Sequence, residues 1–310
     1  MRPIKKIQFQ LFYIMLFAVS TGTAFAQQNF DDVEIQAIPV ADGIYMLTGS
    51  GGNLGLSVGD EGAFLIDDQF APLTEKILLA IKEQTDHQVQ FVVNTHWHGD
   101  HTGGNESMGE AGAIIVAHEN VRKQMTVDHF LAAFNSTTPA SPESALPVVT
   151  FTESVTFHWN GDEIRVFHVD PAHTDGDSVI HFKRSNVIHA GDVFFNGMYP
   201  FFDTSTGGSL GGMMAATARI LEHTNDETKI IPGHGALAGR MELEQYYEML
   251  VTARDLIKEH VDAGKSRDEV IAAKPTETLD ATWGGGFLPP DMWVGIVYDG
   301  MQLFSTGVGE

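Results

Sequence analysis

A short histidine-rich segment constrains this chain more than any other feature of its sequence. His96, His98, Asp100 and His101 fall within six residues, directly after the apolar run 91–93. Imidazole and carboxylate groups are common protein ligands of first-row divalent metals, so this density of ligands predicts a metal site. Glycines within and just after the segment let the backbone turn tightly, which predicts a loop whose successive side chains converge. On a regular strand, Asp100 and His101 would point to opposite faces.

Three further candidate ligands follow apolar runs in the second half of the chain. They are His173 in Pro-Ala-His-Thr-Asp-Gly-Asp, Asp192 in Ala-Gly-Asp, and His234 in Pro-Gly-His-Gly. Together with the first segment they make seven ligands, which is enough for two metal ions. Two zinc ions about 3.5 to 4 Å apart can share a hydroxide and make it a nucleophile near neutral pH.

The remaining pattern predicts an α/β fold without an interdomain linker. β-rich runs punctuated by Gly, Asn and Asp predict an antiparallel meander, and apolar residues at helical spacing predict helices outside the sheets. The predicted strands are 34–40, 43–48, 54–58, 63–66, 91–93, 186–189 and 229–231. The predicted helices are 72–83, 120–134, 213–222, 241–261, 267–273 and 293–303, with a loop over 135–147. We therefore expect one domain over 27–310.

Residues 1–26 have the pattern of a secretory signal peptide. A basic start precedes an almost wholly apolar run over 11–19, and Ala24-Phe25-Ala26 supplies a small-x-small cleavage pattern. The run is shorter than the ~20 residues that span a bilayer, so we expect cleavage after Ala26, export to the periplasm and no stable membrane insertion. The net charge of −23 opposes binding to nucleic acid, and the absence of cysteine excludes a thiolate metal ligand. The expected partner is a small-molecule substrate.

The ordered motifs His-x-His-x-Asp-His, His, Asp and His resemble those of the metallo-β-lactamase superfamily, over about residues 44–237. The resemblance implies a four-layer αββα sandwich with the site at one edge of its two sheets. It also implies two Zn²⁺ ions, the first on His96, His98 and His173 and the second on Asp100, His101 and His234. Asp192 would bridge the ions, and Asp67 in Phe-Leu-Ile-Asp would match a supporting carboxylate.

Three positions differ from the acquired β-lactamases that this family includes. Asp192 stands where those enzymes carry the Cys that binds the second zinc, and Phe195 stands where many of them place a substrate-binding Lys. Ser209, in Gly-Ser-Leu-Gly, replaces an Asn of a similar segment. An Asp-bridged set is instead what glyoxalase II-like thioesterases, lactonases and phosphodiesterases of the superfamily use.

These observations lead to an expected function and to named alternatives. We expect an exported dinuclear zinc hydrolase. In this hydrolase, a metal-bridging hydroxide attacks a carbonyl and Asp100 orients the nucleophile. The first expectation for the reaction is β-lactamase-like cyclic amide hydrolysis. The alternatives are a lactonase, a thioesterase or a phosphodiesterase with the same site, and a non-catalytic metal-binding periplasmic protein. The expected pocket residues are Tyr199, Ser209 and Phe195, the expected supporting residues are Asp67 and His189, and the turn 49–53 is a candidate flap.

Overall fold

The structure is a computed structural model that describes residues 29–305, so the predicted signal peptide over 1–26 lies outside the described residues. The chain divides into a first segment, Met1–Asp32, and one larger compact unit, Val33–Glu310. In the first segment, the backbone N–H of Asp31 donates to Asn29 Oδ1 at 2.9 Å. Within 29–305, none of the helices is both long enough and apolar enough to span a bilayer.

The first sheet of the compact unit has seven strands in the order β1-β2-β3-β4-β5-β6-β9. Its strands are β1 Gln36–Ala41, β2 Ile44–Thr48, β3 Leu54–Ser57, β4 Ala63–Ile66, β5 Val89–Val93, β6 Ile114–His118 and β9 Val149–Phe151. The first four form the predicted antiparallel meander, and the last four are parallel to one another.

The second sheet has six strands in the order of the chain, β10 to β15. They are β10 Ser154–Trp159, β11 Asp162–His168, β12 Ser178–Phe182, β13 Val187–His189, β14 Lys229–Ile231 and β15 Ala238–Gly239. Only the β13–β14 pair is parallel. A parallel pair needs a crossover connection, and α5 (Leu210–Leu221) provides it here, as α1 (Thr74–Lys82) does between β4 and β5.

The two sheets pack face to face because alternate residues of their strands are apolar. Phe64 and Val93 of the first sheet and Ile164, Val166 and Phe182 of the second belong to one buried cluster. The outer face of the second sheet packs on helices, whose apolar side chains form another cluster with those of β13 and β14. Short helices contact β5 and β6 of the first sheet. This is the predicted four-layer αββα arrangement.

The remaining helices are α2 Gly99–Thr102, α3 Asn105–Glu110, α4 Glu119–Met125, α6 Arg240–Asp262, α7 Arg267–Ala272, α8 Glu277–Trp283 and α9 Pro290–Ser305. The helix predicted over 120–134 was wrong in its second half, since α4 ends at Met125 and a hairpin follows. The hairpin pairs β7 (His129–Leu131) with β8 (Ser136–Thr138), and Asn135 takes a left-handed conformation with φ 46° before β8. The β-branched run at 137–138 favours this pairing over a longer helix. Helix α8 was not predicted.

Candidate metal centre

The histidine-rich segment forms a loop followed by one helical turn. His96 and His98 lie in the loop after β5, and His98 is extended at φ −63° and ψ 148° immediately before α2. Asp100 and His101 lie on α2, so the expected loop is wrong for these two residues. The helical turn brings Asp100 Oδ2 to 3.6 Å from His101 Nε2. His101 is fully buried and His96 nearly so.

Three connections of the second sheet bring the other candidate ligands to the same place. His173 lies in the loop after β11, Asp192 in a 3-10 turn after β13, and His234 in the loop after β14. Asp192 Oδ2 lies 3.4 Å from His173 Nε2, 3.4 Å from His234 Nε2 and 3.9 Å from His96 Nε2. Its Oδ1 lies 3.1 Å from His101 Nε2. The Asp192 carboxylate therefore lies at the centre of four imidazoles.

The ligand atoms form compact sets around this carboxylate. In each set the ligand atoms lie within 4.8 Å of one another: His96, His98 and His173; His96, His101 and Asp192; Asp100, His101 and His234. His98 Nδ1 lies 2.8 Å from His173 Nε2, so His98 presents its Nδ1 to the centre while the other histidines present Nε2.

The donor chemistry fits divalent metal ions. His96 Nε2, His101 Nε2 and Asp192 Oδ1 are buried, and within the described part of the chain they make no hydrogen bond. Buried polar atoms are nearly always satisfied, so unsatisfied nitrogen and oxygen lone pairs that converge in one place suit a cation. All donors are nitrogen or oxygen, as expected for zinc in a chain without cysteine.

The electrostatic interactions among the candidate ligands keep Asp192 ionised, and this negative charge favours a cation at the centre. Burial raises the pKa of Asp192, but the imidazoles of His234 and His101 outweigh it and hold this pKa well below its usual range. Burial lowers the pKa of His234, but Asp192 and Asp100 outweigh it and raise this pKa to about 9. Burial and the neighbouring His101 lower the pKa of His96. His234, whose pKa is raised, would release its proton when a metal binds.

Asp67 orients two of the imidazoles. Its Oδ2 lies 2.7 Å from His101 Nδ1, and because a carboxylate only accepts, Nδ1 carries the hydrogen, so in the neutral ring Nε2 has the lone pair. Thr95 donates its backbone N–H to Asp67 Oδ1 and its hydroxyl to Oδ2, both at 2.7 Å. The Thr95 hydroxyl oxygen also lies 3.0 Å from His96 Nδ1, so the same network leaves His96 Nε2 free for a ligand role.

His189 acts on the backbone around the centre. Its Nδ1 accepts from the N–H of Gly191 at 3.2 Å, and its Nε2 lies 3.1 Å from the carbonyl oxygen of Asn53. Burial lowers its pKa to about 4, which keeps the ring neutral with one donor and one acceptor. His189 therefore holds the turn that carries Asp192 against the first sheet.

Asp203 is a supporting residue that sequence reasoning missed. Its Oδ2 lies 3.4 Å from His98 Nε2, and its backbone N–H donates to the carbonyl oxygen of His173 at 2.7 Å. Burial raises the pKa of Asp203, but His98 outweighs it and lowers the value to about 2. The run Asp-Thr-Ser indicates a turn in which Asp203 accepts from Ser205, and this turn was the only local signal.

A cavity of 310 Å³ opens beside the centre. One part of its lining is made of candidate ligands, namely His98, Asp100, His173, Asp192 and His234. The rest is mostly aromatic: Phe70, Trp97, Phe134, Phe201 and Phe287, with Leu131, Gly99 and Thr138. The hairpin β7–β8 contributes Phe134, and the loop before α9 contributes Phe287.

The three expected pocket residues lie outside this lining, and the structure corrects each of them. Tyr199 is buried, its ring stacks on Trp293, and its hydroxyl donates to Asp280 Oδ1 at 2.7 Å. Ser209 caps α5, where its Oγ accepts from the N–H of Gly212. Phe195 is buried and stacks on the His234 ring at 5.1 Å, so it supports a candidate ligand instead of lining the cavity.

The turn 49–53, expected as a candidate flap, is hydrogen-bonded into the centre. Gly52 donates to the carbonyl oxygen of Asp100 at 3.2 Å, and Gln69 Nε2 donates to the Gly52 carbonyl oxygen at 2.6 Å. Asn53 donates its backbone N–H to Gly233 in the other sheet's loop at 2.7 Å. A Cβ on Gly52 would lie 2.1 Å from His101 Cε1, so only glycine fits at this position.

Sequence comparison finds relatives among metallo-beta-lactamases and hydroxyacylglutathione hydrolases, and one uncharacterized protein. The chain is 31% identical over 179 residues to an uncharacterized protein of Aquifex aeolicus, covering 57% of this chain and 82% of that protein. It is 21% identical over 269 residues to a metallo-beta-lactamase type 2 of Bacteroides fragilis, covering 80% of this chain and 95% of the other. It is 27% identical over 167 residues to a hydroxyacylglutathione hydrolase of Nitrosococcus oceani, covering 53% of this chain and 55% of the other.

Solved structures share the fold. The metallo-beta-lactamase from Pontibacter korlensis superimposes with a TM-score of 0.57 at 22% identity, covering 70% of this chain and 99% of that one. The DIM-1 metallo-beta-lactamase gives a TM-score of 0.57 at 20% identity, covering 72% of this chain and 100% of the other. The sequence profile of the metallo-beta-lactamase superfamily matches residues 47–256. The chain therefore belongs to the metallo-beta-lactamase superfamily of hydrolases.

Proposed function

We propose that this protein is an exported dinuclear zinc hydrolase that cleaves a small carbonyl compound. His96, His98 and His173 would hold the first ion, and Asp100, His101 and His234 the second. The observation that carries the proposal is the position of Asp192, whose two oxygens lie 3.1 to 3.4 Å from imidazoles of both sets. A carboxylate placed between two triads of ligands is suited to bridge two ions.

Two zinc ions supply, when bound, a water of lowered pKa and a Lewis acid for a carbonyl oxygen. The protein contributes the orientation of the groups around them. Asp100 borders the cavity with its side chain 25% exposed, and its Oδ2 lies 3.4 Å from His234 Nε2. Burial raises the pKa of Asp100, but His101 and His234 outweigh it and hold this pKa below its usual range. Asp100 is therefore an ionised hydrogen-bond acceptor that can orient a water.

Two substrate classes are supported by different observations. Cyclic amide hydrolysis is supported by the similarity to the Bacteroides fragilis metallo-beta-lactamase, which extends over 80% of this chain. Hydrolysis of a lactone or thioester is supported by Asp192 in the place of a cysteine and by the similarity to hydroxyacylglutathione hydrolases. The position of Ser209 outside the cavity removes one argument for the cyclic amide.

The test is an activity screen on the mature protein, residues 27–310, with zinc measured in the same sample. The panel contains a β-lactam, a lactone, a thioester and a phosphodiester. We expect about two zinc ions per chain and turnover of a carbonyl substrate that a chelator abolishes. Zinc binding without turnover of any class would favour the non-catalytic alternative.

Two variants examine the roles of single carboxylates. Asp100→Asn should retain at least one metal but lose turnover, because the amide is a weaker ligand for the second ion and orients the water less well. Asp170→Asn is the matched control, since Asp170 is an exposed carboxylate outside the cavity lining. Equal turnover in the two variants would contradict the role of Asp100. Export is tested by sequencing the amino terminus of the protein in a periplasmic fraction, which should begin after Ala26.

A further inference from the structure

We infer that the cavity beside the metal centre selects an uncharged substrate with an apolar acyl group, such as a neutral ester, lactone or thioester. The inference rests on the proposed hydrolase function and specifies its substrate. It is carried by the continuous aromatic lining of the cavity and by the charges that surround it.

The aromatic lining borders the candidate ligands and also reaches the mouth of the cavity. The Phe201 ring lies 5.8 Å from the His173 ring and 6.0 Å from the His98 ring. Phe134 packs on Phe201 at 4.9 Å, and the Phe287 ring lies 6.4 Å from Phe134 and 6.2 Å from the His234 ring. A carbonyl group held at the ligands would therefore direct its substituent along this apolar wall.

The aromatic side chains of the lining range from nearly buried to half exposed, as expected for a cavity that opens to solvent. Phe201 is 7% exposed and Trp97 is 3% exposed, whereas Phe287 at the mouth is 52% exposed. At about 30 Å³ for each non-hydrogen atom, a cavity of 310 Å³ has room for roughly ten such atoms. That size fits a carbonyl group with a medium-length acyl chain.

The cavity lining and the net charge of the chain disfavour an anionic group on the substrate. Among the described residues that line the cavity, none is lysine or arginine, and the charges of Asp100 and Asp192 would be neutralised by the metal ions that they hold. A substrate carboxylate on the aromatic wall would lose its hydration without gaining a cationic partner, which is costly. The net charge of the chain, −23, acts in the same direction at longer range.

The first experiment measures kcat/KM of the zinc-loaded protein for p-nitrophenyl esters of two, four, six and eight acyl carbons. Each longer ester has a partner of equal length that ends in a carboxylate. We expect kcat/KM to rise by about fourfold per methylene until the cavity is filled, because each buried methylene is stabilising. We also expect the carboxylate partners to react at least about tenfold more slowly. Rates independent of chain length, or a preference for the carboxylate partners, would overturn the inference.

Two variants assign the effect to this cavity. Phe287→Lys places a cation at the mouth and should lower the ratio of neutral to anionic kcat/KM by about fivefold or more. Leu79→Lys is the matched control, because Leu79 is 64% exposed on α1 and is not part of the lining. Phe134→Ala should flatten the dependence on chain length. An unchanged ratio in Phe287→Lys, or an equal change in Leu79→Lys, would contradict the assignment.

A binding measurement separates this inference from the hydrolase function. Octanamide and acetamide are neutral and are titrated against the zinc-loaded protein by calorimetry. We expect octanamide to bind at least about tenfold more tightly, because its chain is buried in the cavity. This preference without hydrolysis of any ester would overturn the hydrolase function alone, and equal binding would overturn the inference alone.

Discussion

Substitution of Asp67 by asparagine is expected to weaken metal binding while leaving the fold intact. Asp67 has a left-handed backbone with φ 58°, and asparagine tolerates this conformation better than any other residue except glycine. The change replaces one carboxylate oxygen by an NH₂ group of nearly the same size. The backbone and packing are therefore preserved, and the hydrogen-bond pattern is what changes.

The new amide would face donors where the carboxylate accepts. In the native chain, His101 Nδ1 and the Thr95 hydroxyl both lie 2.7 Å from Asp67 Oδ2. An NH₂ group there would donate to both, so the His101 hydrogen would move to Nε2. The Thr95 hydroxyl would turn towards His96 Nδ1, 3.0 Å away, with the same result for His96. Each imidazole would then present a hydrogen where a metal needs a lone pair.

Loss of such an orienting partner costs about 10- to 100-fold in metal affinity, or about 1.4 to 3 kcal/mol. The assay is a zinc titration in competition with a chromophoric chelator at pH 7.5, with thermal unfolding to show that the variant is folded. Asp68→Asn is the control. Burial raises the pKa of Asp68 well above its usual range, and its Oδ1 accepts from Gly104, a bond that asparagine retains. Wild-type affinity in Asp67→Asn, or an equal loss in Asp68→Asn, would refute the reasoning.

Three further substitutions test other parts of the structure. Gly52→Ala should lower the unfolding free energy by about 1 to 3 kcal/mol and reduce zinc content, because the added Cβ would collide with the buried His101 ring. Wild-type stability and zinc content in this variant would count against such close packing. Tyr199→Phe should lower stability by about 1 kcal/mol through loss of the bond to Asp280 without changing KM, and a raised KM would show that Tyr199 contacts substrate. Burial lowers the pKa of His181 to about 4, so the unfolded chain binds a proton that the folded chain does not, and stability falls as pH drops from about 6.5 towards 4. After allowance for partial exposure, His181→Gln should remove about 1 kcal/mol of that loss at pH 5 in urea unfolding, whereas an unchanged pH dependence would argue against this origin.

The parts of the centre that sequence could predict are those whose signal is local. Residue type and spacing within one short segment predict four of the candidate ligands, namely His96, His98, Asp100 and His101. The strand ends that carry the later ligands follow from apolar runs bounded by glycine. In each of these cases, the residues near a position in sequence are also the ones that determine its conformation.

The parts that sequence could not predict depend on distant contacts. Asp203 lies 105 residues from His98, and no local pattern links the two. Tyr199 follows Asp192 in sequence, but its ring stacks on Trp293 instead of lining the cavity. The apolar spacing after Met125 is compatible with a helix or a strand, and pairing between β7 and β8 decides it. Tertiary contacts thus decide the first two places, whereas the third is decided by pairing within a single hairpin.

The origin of the ligands in two different sheets has a mechanical consequence. His96 and Asp100 follow β5 of the first sheet, whereas His173, Asp192 and His234 follow strands of the second. Bound metal would therefore cross-link the two layers of the sandwich, closing a long loop of chain as a disulfide does. The chain has no cysteine with which to make such a bond. A bound metal centre would thus also hold the two sheets together, and removal of the metal would loosen the sandwich along the edge that carries the candidate ligands.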